Sequence, residues 1–337
     1  MMTLSIARQV SHSVLRTHKK RTRAVSALLL LVCGVAAAAD SDRPPRVLFR
    51  ESFEDTNFGS RGWYDGDAIV VLSSEQHIPG STKSFEVHFR AGDVSPATPR
   101  RHPFTESDSV YIGFWVKFSP NWIGSGKPYH PHFLHLITNQ NDGFRGPSCS
   151  HLTTYVEDIA GIPRMAIQDS QNITVNTTGE DRAVAGCNGD WDGHGSGECY
   201  ELGGEGRNGK GWRAKQQYFQ DSPGPYYKGD WHHIGAYFRL NTISAQGCSN
   251  KDGVVQYWYD GTAIIDVKDA ILRTAKYPGM KFNQFLMASH IGDGSPIDQS
   301  LWADDLFVAT GKPAAGVDLR FPPPPLHIRI SPAGRVE

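Results

Sequence analysis

Apolar and polar residues alternate with a period of two through many short runs of this chain. The clearest case lies between Trp231 and Asp266, where Trp-His-His-Ile-Gly-Ala-Tyr-Phe-Arg-Leu-Asn and Asp-Gly-Val-Val-Gln-Tyr-Trp-Tyr-Asp-Gly flank a polar hairpin. A strand turns successive side chains to opposite faces. Ile234, Ala236 and Phe238 are therefore expected on a packed face, with Tyr237 and Arg239 on the other. On the partner run, Gln256 and Trp258 alternate with Val255, Tyr257 and Tyr259. If the valine side is core, Trp258 faces a cleft; a core tryptophan is the other reading.

The same period predicts strands over Val47–Phe53, Ala68–Leu72, Ser84–Arg90, Ser109–Phe118, His132–Asn139, Thr153–Val156, Met165–Gln168, His232–Leu240, Val254–Tyr259, Ala263–Val267, Gln284–His290 and Leu301–Val308. Gly and Pro clusters separate them, the pattern of an all-β sandwich rather than of alternating βα units. Helix is scarce, with one turn expected in Val267–Thr274. No internal repeat is visible. Residues 186–229 read as a Gly-rich insertion too polar and irregular for core, a loop length that is functional or disordered. After Lys312 the chain carries Pro322 to Pro325, and residues 313–337 read as an extended Pro-rich tail.

The N-terminus changes the picture of compartment and charge. Arg16, Lys19, Lys20, Arg21 and Arg23 precede an apolar run, Ala24 to Val35, and four alanines end at Ala39. A basic start, a short apolar stretch and small residues describe a secretory signal peptide over 1–39; the run is too short for a membrane span. The expected location is extracellular or periplasmic. The chain has 34 Lys and Arg against 35 Asp and Glu; six of the basic and none of the acidic residues lie in 1–39, so the remainder carries a net charge of −7. That excludes nucleic acid as an expected partner, because the phosphate backbone demands a basic surface. No membrane partner is expected after cleavage, and the protein is expected to be a monomer. Cys149, Cys187, Cys199 and Cys248 remain, an even count that in an exported chain favours two disulfides. Three pairings are open; Cys187 with Cys199 closes a short loop and leaves Cys149 with Cys248.

Several of these runs resemble one family. Val47-Leu-Phe-Arg-Glu-Ser-Phe-Glu54 is similar to the first strand of concanavalin A-like jelly rolls, and Val110-Tyr-Ile-Gly-Phe-Trp-Val-Lys-Phe-Ser-Pro-Asn-Trp122 to a mid-sheet strand. The Trp231–Gly261 hairpin, the strand into Ile291-Gly-Asp-Gly294 and the closing Trp302-Ala-Asp-Asp-Leu-Phe307 complete the order. In that order they look like secreted polysaccharide lyases of the alginate and glucuronan lyase type and their non-catalytic cellulose-associated relatives. The compact Arg, Gln-x-His and Tyr-x-Lys motifs of alginate lyases are not evident. The resemblance implies a jelly-roll sandwich of two antiparallel sheets over 40–312 and a polysaccharide partner. It also implies a structural calcium ion held jointly by Glu51 or Glu54 and by Asp304 or Asp305, oxygen ligands that suit a hard cation.

An aromatic, hydrogen-bonding sheet face suits a sugar chain. A uronate lyase needs a group that neutralises the carboxylate, a base for the C5 proton and an acid for the departing oxygen. The candidates for that chemistry are His132, His135, Tyr237, Arg239 and His290, with Gln168, Gln256 and Trp258 as substrate contacts. His132 and His135 are three apart, so on a regular strand they face opposite ways. No isolated carboxylate pair marks a glycoside hydrolase. Asn188-Gly-Asp190-Trp-Asp192-Gly193 echoes the start of a calcium loop, but position twelve is Cys199 rather than Glu. Asn172 and Asn176 begin glycosylation sequons.

Overall fold

The structure is a computed structural model and describes residues 44–64, 66, 70–127, 131–138, 153–168, 211–247, 249–273 and 278–313. The 1–39 segment, the four cysteines, both sequons, Asn188–Gly193 and the tail beyond Pro313 lie outside the described residues.

The described chain is almost entirely strand. In order these are β1 (Val47–Glu51), β2 (Val71–Ser73), β3 (Ser84–Phe89), β4 (Arg100–Ser107), β5 (Ser109–Phe118), β6 (His132–Thr138) and β7 (Thr153–Ile159). There follow β8 (Ile162–Gln168), β9 (Gly211–Arg213), β10 (His232–Arg239), β11 (Gly253–Tyr259), β12 (Thr262–Ala270), β13 (Phe282–His290) and β14 (Gln299–Ala309). One 3-10 turn, Phe58–Arg61, interrupts them. They form two antiparallel sheets, an all-β jelly-roll sandwich. The first has the order β12-β11-β10-β5-β14-β3-β2, with β1 also paired to β14; the second has the order β4-β13-β6-β7-β8-β9.

Phase decides which residues meet between the layers. Ile112, Phe114 and Val116 of β5, Ile234, Ala236 and Phe238 of β10, and Val255, Tyr257 and Tyr259 of β11 are all buried. Opposite them lie Leu134 and Leu136 of β6, Val156 of β7, Met165 and Ile167 of β8, and Phe285 and Met287 of β13. Burial of these rings and branched chains, at about 25 cal/mol per Å², drives the two sheets together.

Three expectations are corrected here. The stretch expected to hold a helical turn from Val267 instead continues β12 to Ala270. The insertion is not wholly outside the core: Gly211–Arg213 is a sixth strand of the second sheet, and Trp212 and Phe219 are buried. Finally, β4 was not expected, because Arg-Arg-His-Pro-Phe-Thr-Glu-Ser lacks apolar alternation; Pro103 is tolerated because β4 is an edge strand.

Candidate functional site

Register on the second sheet brings polar residues of five strands into one line. His290 of β13 pairs with His132 of β6, His132 with Glu157 of β7, Glu157 with Arg164 of β8, and Arg164 with Arg213 of β9. Cross-strand partners share a face, and the core residues Leu134, Val156 and Met165 occupy the opposite one. Neighbouring strands lie ~4.8 Å apart, so the line spans the length of a short oligosaccharide.

The side chains are tied to one another. The His132 imidazole pairs through Nδ1 with the Glu157 carboxylate. Its ring packs against Tyr155, centroids 4.7 Å apart, and lies parallel to His290 at 6.2 Å. The Arg164 guanidinium reaches the other Glu157 oxygen at 3.5 Å. Ser95 Oγ lies 2.7 Å from His290 Nδ1. Glu157 is 2% exposed, so its charge depends on these two cationic or donor partners; a carboxylate buried without them would be costly. One row along, Arg101 of β4 pairs with Leu286, Leu286 with His135, and His135 with Tyr155. Arg101 donates to Gln284 Oε1 at 3.3 Å, and the Gln284 amide donates to the Tyr64 hydroxyl. A strip of His, Tyr, Arg and amide groups thus crosses the outer face of the six-stranded sheet.

The sequence-derived candidates divide between two faces. His132, His135 and His290 stand on the six-stranded sheet, as does Gln168, in register with Thr153 at the end of β8. Tyr237, Arg239, Gln256 and Trp258 belong to the eight-stranded sheet, whose outer face points the other way. The candidates therefore do not converge in one cleft. Tyr237, Arg239, Gln256 and Trp258 face away from the core, as their alternation with Ile234, Ala236, Phe238, Val255 and Tyr257 requires. Yet Arg239 donates to the Asp252 carbonyl at 3.0 Å, Gln256 to Asp266 at 2.6 Å, and the Lys312 ammonium covers Trp258 at 4.3 Å from its ring centre. Those contacts make the second face a packed surface, with Tyr111 and Phe307 nearly inaccessible beneath it.

Sequence reasoning missed Tyr155, Glu157, Arg164, Arg101 and Gln284. Thr153–Val156 was recognised as strand, but Glu157 fell just beyond its expected end. Arg101 lay on the unrecognised β4. Extending the alternation from Tyr155 to Glu157 was the available signal.

The carboxylates expected to hold calcium, Glu51, Glu54, Asp304 and Asp305, lie among protein hydrogen-bond donors. Glu51 is fully buried and accepts the Phe53 amide at 3.0 Å, Arg61 Nε at 2.8 Å and Trp63 Nε1 at 2.8 Å. Glu54 accepts from Thr82 at its amide and hydroxyl. Asp304 is also buried and accepts the Ile78 and Asp305 amides at 3.1 and 2.8 Å. Burial pushes the Asp304 carboxyl up to about 7. Glu51 and Asp304 are thus hydrogen-bond hubs that join β1 and β14 to the loops beside them. Asp305 has a left-handed backbone, φ 46, within an irregular stretch of β14. No group of three or more metal-ligating side chains occurs among the described residues.

No protein-family model matches the sequence, and no curated protein matches it. Among solved structures, the fold is similar to the marine PL-14 alginate lyase from Aplysia kurodai, with 13% identity, a TM-score of 0.48, and 79% of this chain and 100% of that chain covered. It is also similar to the endo-beta-1,4-glucuronan lyase from the fungus Trichoderma reesei, at 12% identity and TM-score 0.42, covering 79% of this chain and 96% of the other. A third is the binding domain of botulinum neurotoxin serotype G, at 11% and 0.42, covering 80% and 49%.

Proposed function

We propose that the protein is a secreted polysaccharide lyase that cleaves a uronate-containing polymer by β-elimination on the outer face of the six-stranded sheet. The observation that carries this reading is the His132–Glu157 pair, flanked by Tyr155, His290 and Arg164 in one cross-strand row. A carboxylate at Nδ1 keeps the imidazole proton there, the tautomer in which Nε2 holds the base lone pair.

In the step, Arg164 neutralises the substrate carboxylate and renders the C5 proton acidic. His132 removes that proton. The C5–H electron pair becomes the C4=C5 double bond as the C4–O bond breaks, and the departing oxygen takes a proton from the Tyr155 hydroxyl. Charge is conserved: one proton passes to His132, one leaves Tyr155, and the two residues exchange it before the next turnover. Glu157 holds His132 in place and balances the imidazolium that forms.

The test is direct. Purified protein is incubated with alginate, glucuronan and pectate while ultraviolet absorbance of the unsaturated product is followed. Absorbance that grows with wild type and vanishes with His132→Ala supports the reading. Retention of polymer without product would make the protein a binding module of the same fold; no product and no retention would remove carbohydrate altogether.

A further inference from the structure

The loop between β3 and β4 brings Ser95, a side chain the elimination step does not use, to one end of the polar row. Residues 91–95 are fastened to the β13–β14 connection by a run of hydrogen bonds. The Gly92 amide donates to the Ser295 carbonyl at 2.7 Å, and the Ser295 amide to the Asp93 carbonyl at 2.8 Å. The Ile291 amide donates to the Val94 carbonyl at 2.9 Å, and the Ala91 amide to the Asp298 carboxylate at 2.8 Å. The two segments approach so closely that a Cβ at Gly294, φ 85, would fall 2.9 Å from the Gly92 carbonyl oxygen. Such an approach between backbones needs glycine.

This strap sets Ser95 beside His290, the last residue of β13. The Ser95 hydroxyl lies 2.7 Å from His290 Nδ1, and a hydroxyl rotates to donate or accept, so it serves the ring in either tautomer. Both groups are reachable from solvent: Ser95 is exposed and His290 half-buried. An imidazole already fixed by a rigid partner loses little freedom when it meets a ligand.

The His290 ring stands parallel to His132, with 3° between the planes and 6.2 Å between the centres. That step is close to the advance of one pyranose unit along a glycan chain. His290 belongs to β13 and His132 to the neighbouring β6, whereas Arg164 lies beyond β7 on β8. A chain laid along the row with one unit over His132 therefore places the adjoining unit over His290, on the side away from Arg164.

We propose that His290 and Ser95 form a subsite for the sugar unit next to the one His132 deprotonates. His290 contacts a ring hydroxyl of that unit, and Ser95 is the positioning residue that holds the imidazole. The inference rests on the reading of this row as a uronan site, and adds which neighbouring unit is read and by what.

The experiment measures binding of uronate oligosaccharides of increasing length, prepared from alginate, glucuronan and pectate, by isothermal calorimetry. It uses the full chain carrying Tyr155→Phe, which keeps the ring packed on His132 and lacks the hydroxyl assigned as acid, so that the oligomers stay intact. Affinity is expected to rise at the length that first reaches His290. Adding Ser95→Ala or His290→Ala is expected to cut that rise about three- to ten-fold, the worth of one hydrogen bond, with shorter oligomers unchanged. Ser95→Thr keeps a hydroxyl and is expected to restore the rise to within about two-fold. An unchanged rise in Ser95→Ala, an equal loss at every length, a Ser95→Thr variant no better than Ser95→Ala, or no binding of any oligomer would each overturn the proposal. Failure of the elimination reading has a different signature: wild type forms no unsaturated product, while Ser95→Ala still loses the length-dependent rise.

Discussion

The imidazole of His132 and the carboxylate of Glu157 face each other across β6 and β7, paired through Nδ1 on the outer face of the six-stranded sheet. The pair depends on register. A one-residue slip between these strands would send Glu157 into the core and Val156 to the surface. Chemistry at this position is thus tied to the same alternation that builds the hydrophobic layer.

Removing the two partners should have different consequences. His132→Ala takes away the proposed base and is expected to lower kcat by roughly 10²–10⁴. Glu157→Gln keeps the size but loses the charge that fixes the tautomer. It is expected to lower kcat about ten-fold or more and to shift the pH–rate profile, with KM little changed. Steady-state kinetics on the cleaved polymer, across pH, check both.

The opposite face supplies a control. Trp258 lies on the eight-stranded sheet with Lys312 over its ring. Trp258→Ala is expected to leave polymer affinity and turnover within about two-fold of wild type, as for a residue outside the site. Affinity electrophoresis in polymer-containing gels measures it; abolished retention would move the binding surface to the second sheet.

Close packing on that face makes a stability prediction. A Cβ added at Gly113 of β5 would fall 2.2 Å from the Phe307 ring. The ring cannot withdraw without lifting away from Tyr111, 5.5 Å away centre to centre. Gly113→Ala is expected to cost about 1–3 kcal/mol, read as a lower urea midpoint at unchanged slope.

Stability should also vary with pH. Burial pushes the Asp158 and Asp304 carboxyls up to about 7 from 3.8. Between those values the folded chain holds protons that the unfolded chain releases, so these two groups lower stability as pH rises from about 4 to about 7. Buried His102 and His233, both with lowered values caused chiefly by burial, act in the opposite sense. Comparison with Asp158→Asn and Asp304→Asn isolates the carboxyls. Each variant is expected to gain Tm relative to wild type on going from pH 4 to pH 7.5, by about 2–4 °C per kcal/mol relieved.

Calcium provides the last of these tests. Glu51 and Asp304 are committed to N–H donors. Chelation with EDTA is therefore expected to leave Tm within about 1 °C, and added calcium to raise it no further. A large calcium-dependent rise in differential scanning calorimetry would place an ion on these carboxylates after all.

How far the sequence reached follows from what alternation encodes. It located β5 at its observed bounds and most other strands within a few residues, because their inward positions are apolar without interruption. It oriented Tyr237, Arg239 and Trp258 away from the core for the same reason. It did not say which sheet each strand joins, since pairing between β6 and β13, or β10 and β5, is set by contacts distant in sequence. That is why the alternation names both His132 and Tyr237 as candidates without showing that they stand on different sheets. The irregularity between His132 and Leu134 likewise breaks simple phase counting on β6. Arg101 was hidden because an edge strand needs little apolar character. The amides and side-chain donors gathered around Glu51 and Asp304 come from residues distant in sequence, such as Trp63 and Ile78, and alternation does not show them.

The most direct measurement is the mass of the products formed from a defined uronate oligosaccharide in heavy-oxygen water. Elimination expected at the His132–Tyr155 row gives two fragments whose masses sum to that of the substrate, one unsaturated, with no solvent oxygen incorporated. Fragments carrying solvent oxygen and no double bond would show hydrolysis and contradict the account, as would an intact substrate recovered from the whole uronate panel.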